Sequence, residues 1–219
     1  MKFTPALLSL FAASATAFPI SLNLFGKRAG DLTLNTQNDL VNGAPCAPVT
    51  LIWARGTSAP GNVGASESVG PIFFRAVAAA IGTNNLAVQG VTYSASILGF
   101  LQGGDGPGST TMANLVEQAY RQCPNTKVVM SGFSQGAQIV HNAARQISAA
   151  STNKVAAVVL FGDPNDGAAV GTIATSKVRV FCNDGDNICD GGILILGPHT
   201  TYGNNAPEAA QFVKARVGL

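Results

Sequence analysis

The stretch Gly132-Phe133-Ser134-Gln135-Gly136 constrains the fold of this chain more than any other. An apolar run, Lys127 to Met130, leads into it, and a segment of helical composition leads out. Glycines two residues either side of a serine let the backbone reverse without a Cβ clash, so a strand can pass directly into a helix. The serine hydroxyl then stands clear at the helix N-terminus, where it can act as a nucleophile. A glycine-rich surface turn is the plainer reading, and the flanking strand and helix signals argue against it.

Apolar segments of strand length recur at Val49 to Ala54, Leu86 to Tyr93, Lys127 to Met130, Val155 to Phe161 and Val178 to Cys182. Several are continuous rather than alternating, as expected for strands buried on both faces. Between them, helical patterns are predicted over Val69 to Ile81, Thr111 to Arg121, Gln135 to Ala149 and Pro207 to Val217. Alternation of this kind predicts an α/β fold, a three-layer α/β/α sandwich on a parallel sheet, with chemistry at the carboxyl ends of the strands. The glycine-rich stretch Gly99 to Gly108 does not match a dinucleotide-binding pattern and is not placed to open a strand-associated helix. It reads as a mobile surface loop or, alternatively, as a flap carrying Ile97, Leu98, Phe100 and Leu101.

Residues 1–17 carry the marks of an export signal: Lys2, an apolar core from Ala6 to Ala13, and the small residues Ala15-Thr16-Ala17 before Phe18. A second cut after Lys27-Arg28 would make residues 18–28 a propeptide and leave 29–219 as one catalytic domain, although paired basic residues are also ordinary on a solvated surface. The precursor has 13 basic and 11 acidic residues, but removal of Lys2, Lys27 and Arg28 leaves 10 against 11, net −1. No basic stripe remains for nucleic acid, and no later apolar run approaches the roughly 18 residues of a membrane span. A secreted protein is expected, and nothing in the sequence calls for more than a monomer.

Four cysteines in an exported chain predict two disulfides, with three pairings open. A local Cys182 to Cys189 bridge is favoured, which leaves Cys46 to Cys123 closing a long loop. The chain-entropy estimate assigns the long bridge roughly 4 kcal/mol and the short one roughly 2. The spacing does not suit zinc, so neither metal nor cofactor is expected.

A serine hydroxyl needs a base, and only His141 and His199 are available. His141 lies seven residues after Ser134 on the same predicted helix, about 10 Å along its axis, and reads as a helix-surface or packing residue. His199 follows an apolar loop at the sheet end where Ser134 should emerge, and takes the base role. An acid must orient it, and Asp163, Asp166, Asp184, Asp186 and Asp190 all lie between the two in order. Asp186, inside the Cys182 to Cys189 loop, is favoured over its main rival Asp163. Gln135 N–H and Thr57, which follows the first strand in Arg55-Gly56-Thr57, are the candidate oxyanion donors.

From about Cys46 onward these residues resemble the cutinase family of small secreted serine esterases. Ala54-Arg55-Gly56-Thr57 is similar to its oxyanion segment, Gly132 to Gly136 to its nucleophile segment, Cys182 to Cys189 to its acid loop, and Pro198-His199 to its histidine. The resemblance implies a Ser134, Asp186, His199 triad with Thr57 and Gln135 as donors. It also implies the disulfides Cys46 to Cys123 and Cys182 to Cys189, a central parallel sheet of about five strands and an α/β-hydrolase-type site without a large lid. Two departures stand out. Thr57 replaces the serine of many members, and the segment from Tyr93 to Thr110 is longer, with no counterpart identified for the asparagine that often supports the oxyanion residue.

An ester carbonyl attacked by Ser134 would give an acyl-enzyme that water then hydrolyses. Ile193, Leu194, Ile195 and Leu196 precede His199, and alternate members, Ile193 and Ile195, would face greasy acyl groups across from the Ile97 to Leu101 flap. The competing reading makes 193–196 a last buried strand. Expected substrates are cutin, aliphatic polyesters and short to medium chain esters. An acetylxylan-type carbohydrate esterase is the alternative.

Overall fold

The computed structural model describes Met1 and residues 30–219. The expected leader, its cleavage sites and the dibasic pair lie outside the described residues. Five strands, β1 (Val49–Ala54), β2 (Leu86–Gly90), β3 (Lys127–Phe133), β4 (Ala157–Phe161) and β5 (Val178–Phe181), form one parallel sheet in the order β2-β1-β3-β4-β5.

Successive residues of each strand feed opposite faces, which explains the unbroken apolar runs. Val49, Leu51 and Trp53 of β1 pack with α1 (Val69–Ile81) and α6 (Ala206–Val217) on one face. Ile52 and Ala54 pack on the other with α3 (Gly106–Gln122) and α4 (Gln135–Ala144). Both layers are dry: Phe73, Phe74 and Phe161 crowd around Trp53, while Met112, Met130 and Ile139 fill the opposite side. The disulfides join Cys46 to Cys123 and Cys182 to Cys189, with Cα separations of 5.5 and 6.0 Å.

Several boundaries differ from the sequence reading, the larger ones for local reasons. The second strand stops at Gly90 rather than Tyr93 because β1 turns away after Ala54 and no ladder partner continues. The fourth helix ends at Ala144, since Ser148 caps a separate short helix, α5 (Ala149–Lys154), by accepting from Ser151 N at 3.1 Å. The glycine-rich stretch does open a helix, contrary to expectation. Asp105 accepts from Gly108 N at 2.7 Å and Pro107 fits the first turn, so α3 begins five residues early, and another short helix, α2 (Ile97–Leu101), precedes it. Residues 193–196 do not form the buried strand of the competing reading. Their side chains are exposed, in a loop that Asn187 fastens by accepting from Leu194 N at 3.0 Å.

Candidate active site

The nucleophile turn depends on two close approaches. A Cβ at Gly132 would lie 2.3 Å from Gly136 O, and one at Gly136 only 2.0 Å from Ala54 O, so any side chain at either position would push β1, β3 and α4 apart. Between them Ser134 adopts φ 57°, ψ −121°, a conformation that non-glycine residues rarely occupy. Its N–H donates to Phe161 O at 3.0 Å, which ties the turn to the end of β4. Ser134 opens on a cavity of about 990 Å³, shared with Thr57 and His199 on the polar side and Ile72, Ile97, Phe100, Ile193 and Ile195 on the apolar side. Leu98, expected among the substrate-facing residues, does not line it. That side chain is exposed on the outer surface of α2, as is Leu101.

His199 sits in a single turn of 3₁₀ helix, Gly197–Thr200, after the exposed loop. Its ring stacks on Phe133 with centroids 4.9 Å apart and is backed by Gly162, where a Cβ would come within 2.8 Å of both His199 Cε1 and Tyr202 Cε2. His199 Nδ1 lies 2.8 Å from Asp186 Oδ2. A carboxylate can only accept, so Nδ1 carries hydrogen and the neutral ring keeps its lone pair on Nε2. That nitrogen is buried with no partner among the described residues, and the ring borders the cavity.

Asp186 is held on three sides. His199 Nδ1 and Tyr202 OH, at 2.5 Å, donate to Oδ2, while Ile188 N donates to Oδ1 at 3.0 Å. Burial opposes ionisation of this carboxyl, but the bonds from Tyr202, His199 and Ile188 outweigh it and hold the group below the usual carboxylate range. Burial, followed by the bond to Asp186, raises the Tyr202 hydroxyl above its ordinary value. Tyr202 itself was missed in the sequence. Its only signal is position, three residues beyond His199 at the start of the next 3₁₀ turn.

The rival pair is also present, elsewhere. Asp163 Oδ2 lies 2.8 Å from His141 Nε2, with both side chains fully buried, so His141 is no surface residue and Asp163 is committed to it.

Gln135 heads α4, where its N–H has no intrahelical acceptor. Its side-chain Nε2 donates to Thr57 Oγ1 at 2.9 Å and to Ser96 O at 2.7 Å. Because Thr57 Oγ1 accepts this bond, its own hydrogen is available to an oxygen in the cavity. Gln135 thus supplies the support for which no asparagine was found. Arg55 and Tyr93 fix the same segment: Arg55 Nε donates to Ala59 O at 2.7 Å, Arg55 Nη2 to Tyr93 O at 2.8 Å, and Tyr93 OH to Arg55 O.

The family model described as Cutinase matches residues 45–217. Cutinase pbc1 of Pyrenopeziza brassicae is 49% identical over 203 residues, covering 92% of this chain and 98% of that protein. Cutinase cut1 of Trichoderma harzianum is 51% identical over 183 residues, covering 84% and 71%. Among solved structures, a Trichoderma reesei cutinase in complex with a phosphonate inhibitor superposes with a TM-score of 0.78 at 47% identity, covering 84% of this chain and 81% of that one. The family model spans the segments that build the cavity and identity near one half holds over most of the chain, so this chain belongs to the cutinase family and is a serine carboxylic ester hydrolase.

Proposed function

We propose that this protein is a secreted esterase that hydrolyses cutin, aliphatic polyesters and short to medium chain acyl esters through Ser134, His199 and Asp186. The observation that carries the reading is the 2.8 Å contact of His199 Nδ1 with Asp186, which leaves an unpartnered Nε2 on the cavity that Ser134 also borders. In the first half-reaction Ser134 Oγ attacks the carbonyl carbon while Nε2 takes its proton. The developing oxyanion receives hydrogen bonds from Gln135 N–H and Thr57 Oγ1–H. Collapse expels the alcohol, which takes the proton from Nε2. Water, deprotonated by the same nitrogen, then attacks the acyl-enzyme and releases the acid. Asp186 keeps Nδ1 protonated and stabilises the imidazolium.

Ile97 and Phe100 on one side and Ile193 and Ile195 on the other give the acyl chain an apolar channel. Such walls suit a fatty chain better than an acetyl group on a polysaccharide. Secretion is supported by the leader-like residues 1–17 and by two disulfides. The test is hydrolysis of p-nitrophenyl esters from acetate to palmitate by the wild type and by Ser134→Ala, with phosphonate labelling and monomer release from a polyester film alongside. A maximum at short to medium chains that vanishes with Ser134, together with film erosion, is the expected result. A steep preference for acetate would replace this reading with a carbohydrate deacetylase. An intact film alongside activity on soluble esters would remove the polymer claim.

A further inference from the structure

The segment between β2 and α3 is fastened to the helix that follows the nucleophile by a row of three carboxamides. Gln135, Gln138 and Asn142 are spaced three and four residues apart and so share one face of α4. Their amide nitrogens donate to Ser96 O at 2.7 Å, Phe100 O at 3.2 Å and Gly103 O at 2.9 Å. Only the nitrogen end of a carboxamide can face a carbonyl, so each acceptor fixes the orientation of its amide. Gln135 and Gln138 are buried, and the Oε1 of each has no partner among the described residues. A half-satisfied buried amide is destabilising, so both side chains are held at some expense to the fold at positions where an apolar residue would pack without penalty.

The flap is shaped to accept them. Gly104 has φ +110°, and a Cβ there would lie 2.9 Å from Asn142 Nδ2 and 3.0 Å from Gln138 Cβ. Its base is closed separately, by Ser58 N to Ala95 O at 2.8 Å and Ser94 Oγ to Asp105 Oδ2 at 2.6 Å. The five residues of α2 are too few to hold a helix unaided, so its position depends on what it is tied to. With one side tied to α4, α2 presents Ile97 and Phe100 to the cavity.

We propose that Gln138 and Asn142 are positioning residues that fix α2 against α4 and so set the acyl-chain selectivity of the site. The proposal rests on the esterase reading above. An acetyl group reaches little beyond Ser134 and Thr57, whereas a longer chain lies against Ile97 and Phe100 and loses that wall if α2 shifts.

Gln138→Met and Asn142→Leu, singly and together, keep approximate volume and remove the donors. Two readouts decide the matter. One is amide hydrogen exchange over residues 97–104, and the other is the ratio of kcat/KM for octanoate to acetate esters, normalised to phosphonate-titrated Ser134. Exchange should accelerate, and the ratio should fall by about tenfold in the double variant, the scale of one or two lost methylene contacts. Gln138→Glu, which keeps the shape but cannot donate to Phe100 O once its carboxyl is ionised, should behave like Gln138→Met in the alkaline limb of the pH profile, and Gln138→Asn should restore part of the ratio.

Unchanged exchange would overturn the tether. Faster exchange with an unchanged ratio, or a parallel fall for both esters, would overturn its role in selectivity. A wild type inactive on every ester would remove the esterase reading and the selectivity claim with it, and the tether would then stand or fall on exchange alone.

Discussion

The chain contains two buried His–Asp pairs at the same end of the sheet, and exchanging their carboxylates one at a time should separate stability from catalysis. In the first pair His141 Nε2 meets Asp163 Oδ2 at 2.8 Å, with side-chain exposures of 1% and 0%. Asp163 Oδ1 also accepts from Asn165 N at 2.9 Å, and His141 Nδ1 lies 3.3 Å from Ala169 O. The pair therefore pins α4 to the chain that leaves β4. Asp163→Ala strands an imidazole nitrogen and a backbone N–H in a buried site, and two unsatisfied groups at about 1–3 kcal/mol each together cost about 3–5 kcal/mol. At roughly 2–4 °C per kcal/mol for a domain of this size, the melting temperature should fall by roughly 6–20 °C. Asp163→Asn keeps the shape and one acceptor and should lose less, about 1–3 kcal/mol. Below its transition this variant should retain kcat within about threefold, a barrier change under 1 kcal/mol. Asp186→Asn should instead lower kcat on the order of 10⁴-fold, because an amide no longer enforces the tautomer with Nε2 free. Circular dichroism melts and p-nitrophenyl butyrate turnover at 15 °C measure both quantities on the same samples. A folded Asp163→Asn protein as inactive as Asp186→Asn would return Asp163 to the acid role, and an unshifted melt in Asp163→Ala would refute the packing argument.

Gly162→Ala places a methyl 2.8 Å from both His199 and Tyr202 at a φ of +55°, so kcat should fall at least tenfold while KM for butyrate changes little; unchanged kcat would show that the His199 ring tolerates displacement. Asp186 has a depressed pKa in the folded protein, so the unfolded chain binds the extra proton, and the stability this group contributes is present above about pH 4 and lost as pH falls further. The melting temperature of Asp186→Asn should accordingly depend less steeply on pH below 4 than that of the wild type, and parallel curves would contradict the assignment. Replacing Cys46 and Cys123 by alanine opens a loop with a sequence separation of 77 and should cost roughly 4 kcal/mol in denaturant titration, with ester turnover intact at low temperature.

The sheet was legible because burial on both faces leaves continuous apolar strands, and the nucleophile turn because Gly132 and Gly136 mark where backbones nearly touch. Boundaries governed by side-chain caps were harder to read. Asp105 and Ser148 each start a helix, yet the first lies in a glycine-rich stretch and the second inside a continuous helical pattern. Of the two readings of His141 the packing one holds, but its partner was hidden for a related reason. A helix position seven residues past the nucleophile says nothing about which strand end packs over it, and Asp163 reaches it across a sequence separation of 22.

The same distance in sequence hid the support of the oxyanion segment. The family resemblance implies a supporting asparagine in the 93–110 segment, and none is identified there. The structure supplies an amide from the end of the neighbouring strand instead, since Gln135 contacts Thr57 at a separation of 78 residues and Ser96 at 39. One side chain next to Ser134 therefore bonds both Thr57, the proposed oxyanion donor, and the segment that carries α2. A substitution there would disturb both at once, whereas Gln138 and Asn142, which touch the flap but not Thr57, let its position be varied while the oxyanion donors stay in place.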